Sequence, residues 1–150
     1  MKKVIALSIC CFMLFCTGCK SGKTETMNCS RIVDQAGIKF DLSYKVVYKN
    51  NFVTSIHSIE KIVSDDSFVL QSYMDEVNGI YEPYKGLNYY DYKVSIDGNT
   101  LISRIDIDYT KVDTKKMIEI DPNNSDLIYN GKIDIDTMRA YYETIGIVCD

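Results

Sequence analysis

A strict two-residue alternation in residues 38–49 is the feature that most restricts the fold of this chain. Every second position carries a large apolar or aromatic side chain: Ile38, Phe40, Leu42, Tyr44, Val46 and Tyr48. The positions between them are mostly charged or polar. A period of two is the period of a β-strand, whose successive side chains point to opposite faces. The segment therefore predicts a long strand with one buried and one solvated face.

Two hairpins are predicted around this pattern. Asn50 and Asn51 follow the strand and favour a turn, because asparagine tolerates positive φ. Residues 52–63 are rich in Ile, Val, Ser and Thr and predict the second strand of the hairpin. Residues 90–109 alternate again on either side of Asp97-Gly98-Asn99, which predicts a second hairpin.

A first helix is predicted after residue 64, because Asp65, Asp66 and Ser67 are good N-cap residues. The apolar residues that follow have helical spacing: Val69, Leu70, Tyr73, Met74 and Val77. Asn78-Gly79 is expected to end this helix.

A last helix is predicted to begin near Asp134 or Asp136 and to end at Gly146. Its apolar stripe at i, i+3, i+4 and i+7 consists of Met138, Tyr141, Tyr142 and Ile145. Residues 121–126 are predicted to be a loop, and residues 147–149 a short extended tail. These elements predict an α+β fold, with an antiparallel sheet built from β-hairpins and helices packed on one face.

The first residues have the pattern of a secretory signal peptide. Lys2 and Lys3 precede an apolar stretch, and no further charge occurs before Lys20. The uncharged run from residue 4 to residue 19 would reach about 24 Å as a helix, at ~1.5 Å per residue. A permanent membrane-spanning helix fits less well, because the hydrocarbon core is ~30 Å thick.

The segment Cys16-Thr17-Gly18-Cys19 has three interpretations. A redox Cys-x-x-Cys pair lies between a strand and a helix of a folded domain, whereas this pair lies at the end of a signal sequence. Thr17-Gly18-Cys19 instead resembles a bacterial lipobox, although the position three before the cysteine, usually Leu, is Cys16. The resemblance implies cleavage after Gly18 and a diacylglycerol on Cys19. An uncleaved anchor and a functional Cys-x-x-Cys pair are the alternatives.

The expected organisation follows from this assignment. Residues 1–18 are a lipoprotein signal peptide, residues 19–28 the lipidated cysteine and a flexible polar tether, and residues 29–150 a single α+β lipoprotein domain. The expected location is the extracytoplasmic face of the cell membrane, reached through the lipid on Cys19. Without Lys2 and Lys3, 15 basic side chains face 21 acidic ones, which argues against nucleic acid as a partner.

The cysteine count then leaves one candidate pair. Three of the six cysteines leave with the signal peptide, and Cys19 is acylated, so Cys29 and Cys149 remain. Disulfides persist outside the cytoplasm. We therefore predict a disulfide between Cys29 and Cys149 that joins the two ends of the domain. The alternative is two separate buried thiols, since sequence alone does not prove pairing.

Three segments resemble the YehR-like family of small bacterial lipoproteins. They are YKVVYK at residues 44–49, IDIDYTKVD at residues 105–113 and TMRAYYETIGI at residues 137–147. The resemblance implies an α+β fold with an antiparallel sheet and a lipoprotein location. It implies no catalytic residue and no particular activity.

The motif search predicts neither an enzyme nor a metal or cofactor site. No phosphate-binding loop, dinucleotide fingerprint or G-x-S-x-G or H-E-x-x-H motif occurs. His57, the single histidine, lies in the middle of a predicted strand. Asp106 and Asp108 share a strand face and could bind a cation or act as acid and base, but such pairs more often form a solvated face. Residues 121–132 lack the glycine and glutamate that a calcium loop requires.

The tyrosines are the most suggestive feature for binding. The chain has 12 of them, five within residues 81–92. Tyrosine offers a large, rigid contact area with a polar tip, as protein and sugar interfaces use. We therefore name Tyr81, Tyr84 and Tyr89 as candidate binding residues. The alternative is that these tyrosines build and flank the core.

The function expected from these observations is binding. The predicted protein is a lipid-anchored domain for a small ligand or an envelope partner. One alternative is a structural or assembly component of the cell envelope without a small ligand. Another is an unrecognised hydrolase, which would need Asp106 and Asp108.

Overall fold

The computed structural model describes residues 22–150, so the predicted signal peptide and Cys19 lie outside the described residues. The strands are β1 (Thr24–Gln35), β2 (Ile38–Lys49), β3 (Phe52–Val63), β4 (Tyr90–Asp97), β5 (Thr100–Asp108), β6 (Ile128–Tyr129), β7 (Lys132–Ile133) and β8 (Val148–Cys149). The α-helices are α1 (Ser67–Tyr81), α2 (Thr114–Ile120) and α3 (Ile135–Thr144). Short 3-10 helices occupy Glu82–Tyr84 and Pro122–Asp126.

The described strands form one large sheet and one small hairpin. Six strands pair in the order β4-β5-β3-β2-β1-β8, and every neighbouring pair is antiparallel. Strands β6 and β7 pair only with each other as a separate two-stranded sheet. The predicted α+β class with an antiparallel sheet is therefore confirmed.

Strands β1, β2 and β3 are each 12 residues long and follow one another through two-residue turns. In the second turn Asn50 and Asn51 have φ values of 53° and 65°, as the predicted hairpin requires. In the first turn Ala36 and Gly37 have φ values of 53° and 80°. Both turns reverse the chain within two residues; the β1–β2 pairing is then continuous, whereas the β2–β3 pairing shifts register once, between Val47 and Tyr48.

The predicted tether at residues 19–28 is wrong in its second half. Strand β1 already begins at Thr24, and Thr24–Asn28 pair with the end of β2. Met27 from this stretch is among the most buried side chains. A polar sequence can still form a strand, because the ladder bonds come from the backbone and only the inward positions need to be apolar.

The helices begin where the sequence predicts and differ in their ends. The Asp66 carboxylate caps α1 by accepting from the Phe68 N–H, and the Asp134 carboxylate caps α3 by accepting from the Asp136 N–H. Helix α1 continues past the predicted stop at Asn78-Gly79 to Tyr81. Helix α2 was not predicted, and the predicted loop at residues 121–126 contains a 3-10 helix.

The helices cover one face of the sheet and bury two separate apolar clusters there. The smaller cluster centres on Ile62, Leu70 and Leu101, which α1 brings onto β3 and β5. The larger cluster includes Met138 and Tyr142 of α3 and inward side chains of the central strands. The two clusters lie at opposite ends of the inward face, so α1 and α3 cover different parts of the same face.

A row of polar side chains lies between these clusters on the inward face. Glu60 of β3 stands opposite Ser103 of β5, and Ser58 lies two residues before Glu60 on the same face. Both serines are buried. The inward face therefore changes from apolar to polar and back to apolar along β3, and likewise along β5.

The Cys29 and Cys149 sulfur atoms are joined by a disulfide in this structure, as the sequence predicts. The two cysteines are direct partners in the β1–β8 ladder, which contains only one other pair, Ser30 and Val148. The Asp150 carboxylate accepts hydrogen bonds from the Asn28 backbone and side chain, which lowers its pKa below the usual value. Strand β8 is thus attached to β1 by covalent and polar contacts.

Replacing both cysteines (Cys29→Ser with Cys149→Ser) should lower the free energy of unfolding by about 2 to 5 kcal/mol, because the closed loop is long. Urea unfolding followed by circular dichroism measures this difference. Reductant should bring the original chain close to the double variant. Equal stability of the two proteins under oxidising conditions would contradict the prediction.

Candidate functional site

A cavity of about 260 Å³ lies over the inward face of the sheet, between the end of α1 and helix α3. Its walls combine aliphatic side chains with six tyrosines: Tyr44, Tyr81, Tyr90, Tyr109, Tyr141 and Tyr142. The polar row of the inward face reaches the same cavity through Ser58 and Glu60. A mostly apolar cavity with a few converging polar groups is typical of a small-molecule site.

Helix α3 supplies one wall and the rim of this cavity. All four members of the predicted apolar stripe line it, namely Met138, Tyr141, Tyr142 and Ile145. Met138 and Tyr142 are buried, whereas Tyr141 and Ile145 are 43% and 40% exposed. The stripe therefore packs on the core with one side and presents the other to the entrance.

The floor of the cavity contains one carboxylate, that of Glu60. The Tyr44 hydroxyl donates a 2.7 Å hydrogen bond to its Oε1 atom. Burial raises the pKa of Glu60 above its usual value, and the hydrogen bond from Tyr44 and the nearby Tyr81 hydroxyl act in the opposite direction. Among the described residues, no basic group contributes to this pKa. The carboxylate is thus held by hydroxyl donors and not by a salt bridge.

The tyrosines around Glu60 remain protonated donors. Burial is the largest cause that raises the pKa of Tyr44 and of Tyr81, and the negative charge of Glu60 adds to it. Burial likewise raises the pKa of Tyr90, Tyr109 and Tyr142. The cavity therefore offers neutral aromatic rings with O–H groups and a single site for negative charge.

The Ser58 hydroxyl lacks a hydrogen-bond partner within the part of the chain that the structure describes. Its residue is only 2% exposed, and it lines the cavity beside Glu60. Ser103 in the neighbouring strand is also buried without a partner. Buried polar groups are normally paired, so the unpartnered Ser58 hydroxyl marks this part of the cavity wall as a candidate for contact with a polar ligand group.

The structure does not bring the three predicted binding tyrosines together. Tyr81 lines the cavity, as a binding residue would. Tyr84 is buried in the core, where its ring stacks on Tyr90 with the centroids 4.9 Å apart. Tyr89 is exposed in a loop with positive φ, and the Lys111 ammonium lies 5.2 Å from its ring centroid. The three tyrosines therefore lie in different parts of the structure, although they are close in sequence.

Glu60 and Ser58 are the site residues that the sequence analysis missed. A signal was present, because Ile56, Ser58, Glu60 and Ile62 share one face of a strand with period two. Ile56 and Ile62 are apolar, so the same phase places the carboxylate on the buried side. An ionisable group at an inward strand position is rare enough to mark a candidate site.

The opposite face of the sheet carries the other candidate residues named from the sequence, His57, Asp106 and Asp108. His57 Nδ1 forms a hydrogen bond with an Asp106 carboxylate oxygen, and Asp91 is the cross-strand partner of Asp106. Asp108 is bonded instead to Thr110 and Lys111, which lowers its pKa. Within residues 22–150, no three His, Cys, Asp or Glu side chains are placed to hold a metal ion. Asp106 and Asp108 thus have different hydrogen-bond partners, although both line a cavity of about 270 Å³ on this face together with His57 and Asp91.

The fold and the cavity define a small α+β protein with an antiparallel sheet and a ligand-sized cavity beneath its helices. No helix within residues 22–150 combines the length and apolar character needed to cross a membrane. No protein-family model matches the chain, and no curated protein matches it.

Two solved structures are similar to this chain. An NMR structure of a protein from Streptococcus pneumoniae TIGR4 covers 100% of this chain and 99% of its own, with 12% sequence identity and a TM-score of 0.51. The NMR structure of E. coli YehR covers 85% of this chain and 91% of its own, with 19% identity and a TM-score of 0.56. At these identities the comparisons show a shared fold.

The variant Glu60→Gln should become more stable relative to the original chain as the pH rises above about 4.5, the usual pKa of this group. Below that value Glu60 is protonated in the folded and unfolded chains alike. Above it the unfolded chain loses the proton first, so the raised pKa costs folding stability until Glu60 ionises in the folded state.

Urea unfolding of both proteins across this pH range measures the difference. Glu119→Gln on the exposed surface of α2 is the matched control and should show no such trend. A difference between Glu60→Gln and the original chain that does not change with pH would contradict the prediction.

Proposed function

We propose that this chain is a lipid-anchored, extracytoplasmic bacterial lipoprotein of the YehR-like family whose domain binds a small ligand in the cavity beneath α1 and α3. The single observation that carries the binding function is the cavity itself, with Glu60 and the unpartnered Ser58 at its floor. The proposal includes no catalytic step. The membrane is reached through a lipid on Cys19.

The polar groups at the cavity floor lower the stability of the folded chain. A half-buried carboxylate without a basic partner disfavours the charged folded state, and an apolar side chain of similar size would be at least as stabilising. An unpartnered buried hydroxyl adds to this cost. Groups that cost stability and converge on one cavity support a binding role for that cavity.

Support for the membrane location comes from the sequence and from the start of the fold. The signal-like residues and Thr17-Gly18-Cys19 precede the described residues. Strand β1 begins at Thr24, five residues after Cys19. Five residues span at most about 17 Å at ~3.3 Å each, so a lipid on Cys19 would hold the domain close to the bilayer surface.

The family assignment draws on the fold and on local patterns together. The E. coli YehR structure shares the fold, and the three segments named from the sequence resemble the YehR-like family. All three segments contribute to the candidate site: Tyr44 begins the first, the α3 stripe belongs to the third, and the second supplies Ile105, Ile107 and Tyr109.

Native mass spectrometry tests the binding function directly. A chain of residues 20–150 keeps every described strand and helix and is produced in an oxidising compartment. We expect an added mass in the native spectrum that disappears on denaturation, and less of it with Glu60→Gln. The control Glu119→Gln should retain the added mass, and no added mass in any sample would contradict the proposal.

Lipidation is tested separately with the full chain in a bacterial host. Cys19→Ala should abolish processing at Gly18 and remove the diacylglycerol mass from the protein. Mass spectrometry of the membrane fraction measures both effects. A Cys19→Ala protein with unchanged mass, apart from the substitution itself, would show that residue 19 is not acylated.

A second candidate function, an assembly role in the envelope, is favoured by one edge of the sheet. Ile32 of β1 and Val148 of β8 are 66% and 73% exposed. Strand β8 pairs with only two residues of β1, so much of that edge is open for another strand. Crosslinking in cells that traps a partner at this edge, with an empty cavity in the native spectrum, would favour this function.

A further inference from the structure

We infer that the ligand is an organic cation with an alkylammonium group, and that Glu60 is its counter-ion. This inference rests on the proposed binding function of the cavity and names the chemical class that the cavity accepts. Three features of the site support it: the isolated carboxylate, the tyrosine rings around it and the unpartnered serine beside it.

The negative charge at the cavity floor has no positive side chain of the described residues beside it. Within residues 22–150, Glu60 is the single acidic residue that lines the cavity, and no Lys, Arg or His lines it. The Tyr44 hydroxyl donates a hydrogen bond to the carboxylate and the Tyr81 hydroxyl lies near it, and neither group carries a positive charge. A carboxylate withdrawn from water gains most from a cation that enters the same low-dielectric space. An anionic ligand would be repelled by the same group.

The tyrosine rings favour an ammonium over a hydrated metal ion. Tyr44 and Tyr142 lie side by side with their ring centroids 5.0 Å apart, and Tyr81 lies beside Glu60 on the other wall. Aromatic faces attract ammonium groups through the ring quadrupole, and the attraction grows when the site is desolvated. A hard metal ion would need several oxygen ligands, and the cavity offers a single carboxylate.

The acceptors near the floor match the donors of a primary ammonium. The Tyr44 hydroxyl binds Oε1 of Glu60, which leaves the second carboxylate oxygen with its lone pairs. Ser58 Oγ lies on the same strand face and lacks a partner in the described part of the chain. An R–NH₃⁺ group has three N–H donors, so it can bond to the carboxylate and to Ser58 together. The aliphatic walls then contact the R group.

Titration of the 20–150 chain with butylammonium and with 1-butanol tests this inference. The two probes share a four-carbon chain and differ in charge and hydrogen-bonding group. Backbone amide shifts in ¹⁵N–¹H spectra report binding at Ser58 and Glu60. We expect saturable shifts with butylammonium at neutral pH and at least tenfold weaker binding of 1-butanol, a difference of about 1.4 kcal/mol.

Two variants test separately whether binding depends on the charge of Glu60 and on a hydrogen bond to Ser58. Glu60→Gln keeps the shape of the side chain and should weaken butylammonium binding at least tenfold. Ser58→Ala should weaken butylammonium more than tetramethylammonium, which has no N–H donors. Glu119→Gln should bind both probes like the original chain, and a Glu60→Gln variant that binds butylammonium normally would overturn the inference.

The pKa of Glu60 with and without ligand distinguishes contact with a cation from a purely structural role. Saturating butylammonium should lower the pKa of the Glu60 carboxyl, followed by its ¹³C shift, because the bound cation stabilises the charged form. An unchanged pKa would overturn the cation assignment.

The inference and the proposed function can fail separately. Equal binding of butylammonium and 1-butanol in the cavity would overturn the cation assignment and leave the binding function intact. Absence of binding by both probes would also overturn the assignment, and the native mass spectrum would then decide whether the cavity holds any ligand.

Discussion

The register of β3 is the constraint on which the rest of this structure depends. This strand pairs with β2 on one side and β5 on the other, so it fixes which residues of the central sheet face the helices. A slip by one residue would turn Ile56 and Ile62 to solvent and bring His57 and Lys61 inward. The observed register buries two apolar residues and accepts Ser58 and Glu60 between them. The two-cluster core and the polar floor of the cavity thus have one origin.

Most of the fold could be predicted from the sequence, because its signals are local. The alternation in β2, the Asn50-Asn51 turn and the Asp66 and Asp134 caps each act within a few residues. Strand β1 was not predicted, because its partner in β2, and not its own composition, decides that it is a strand. The end of α1 was placed too early because contacts of Tyr81 with Tyr92 extend the helix past Gly79.

Little of the candidate site could be predicted, because the site depends on how distant elements meet. The abundance of tyrosine pointed to binding, yet Tyr84 and Tyr89 lie elsewhere and Tyr44 came from a strand interpreted as core. The phase of β3 places Glu60 on the inward face, but the phase alone does not say whether a helix covers that position. The gap between α1 and α3 leaves it uncovered, and a gap between helices has no signature in either helix.

The bond between Cys29 and Cys149 has a mechanical consequence. It connects the middle of β1, the first strand of the described chain, to the end of β8, the last. A force that pulls residue 24 away from residue 150 can peel Thr24–Asn28 from β2, after which the load crosses the sulfur atoms directly. The sheet, the helices and the cavity between them lie outside this path. Tension between the two ends of the domain would therefore leave its interior unstretched.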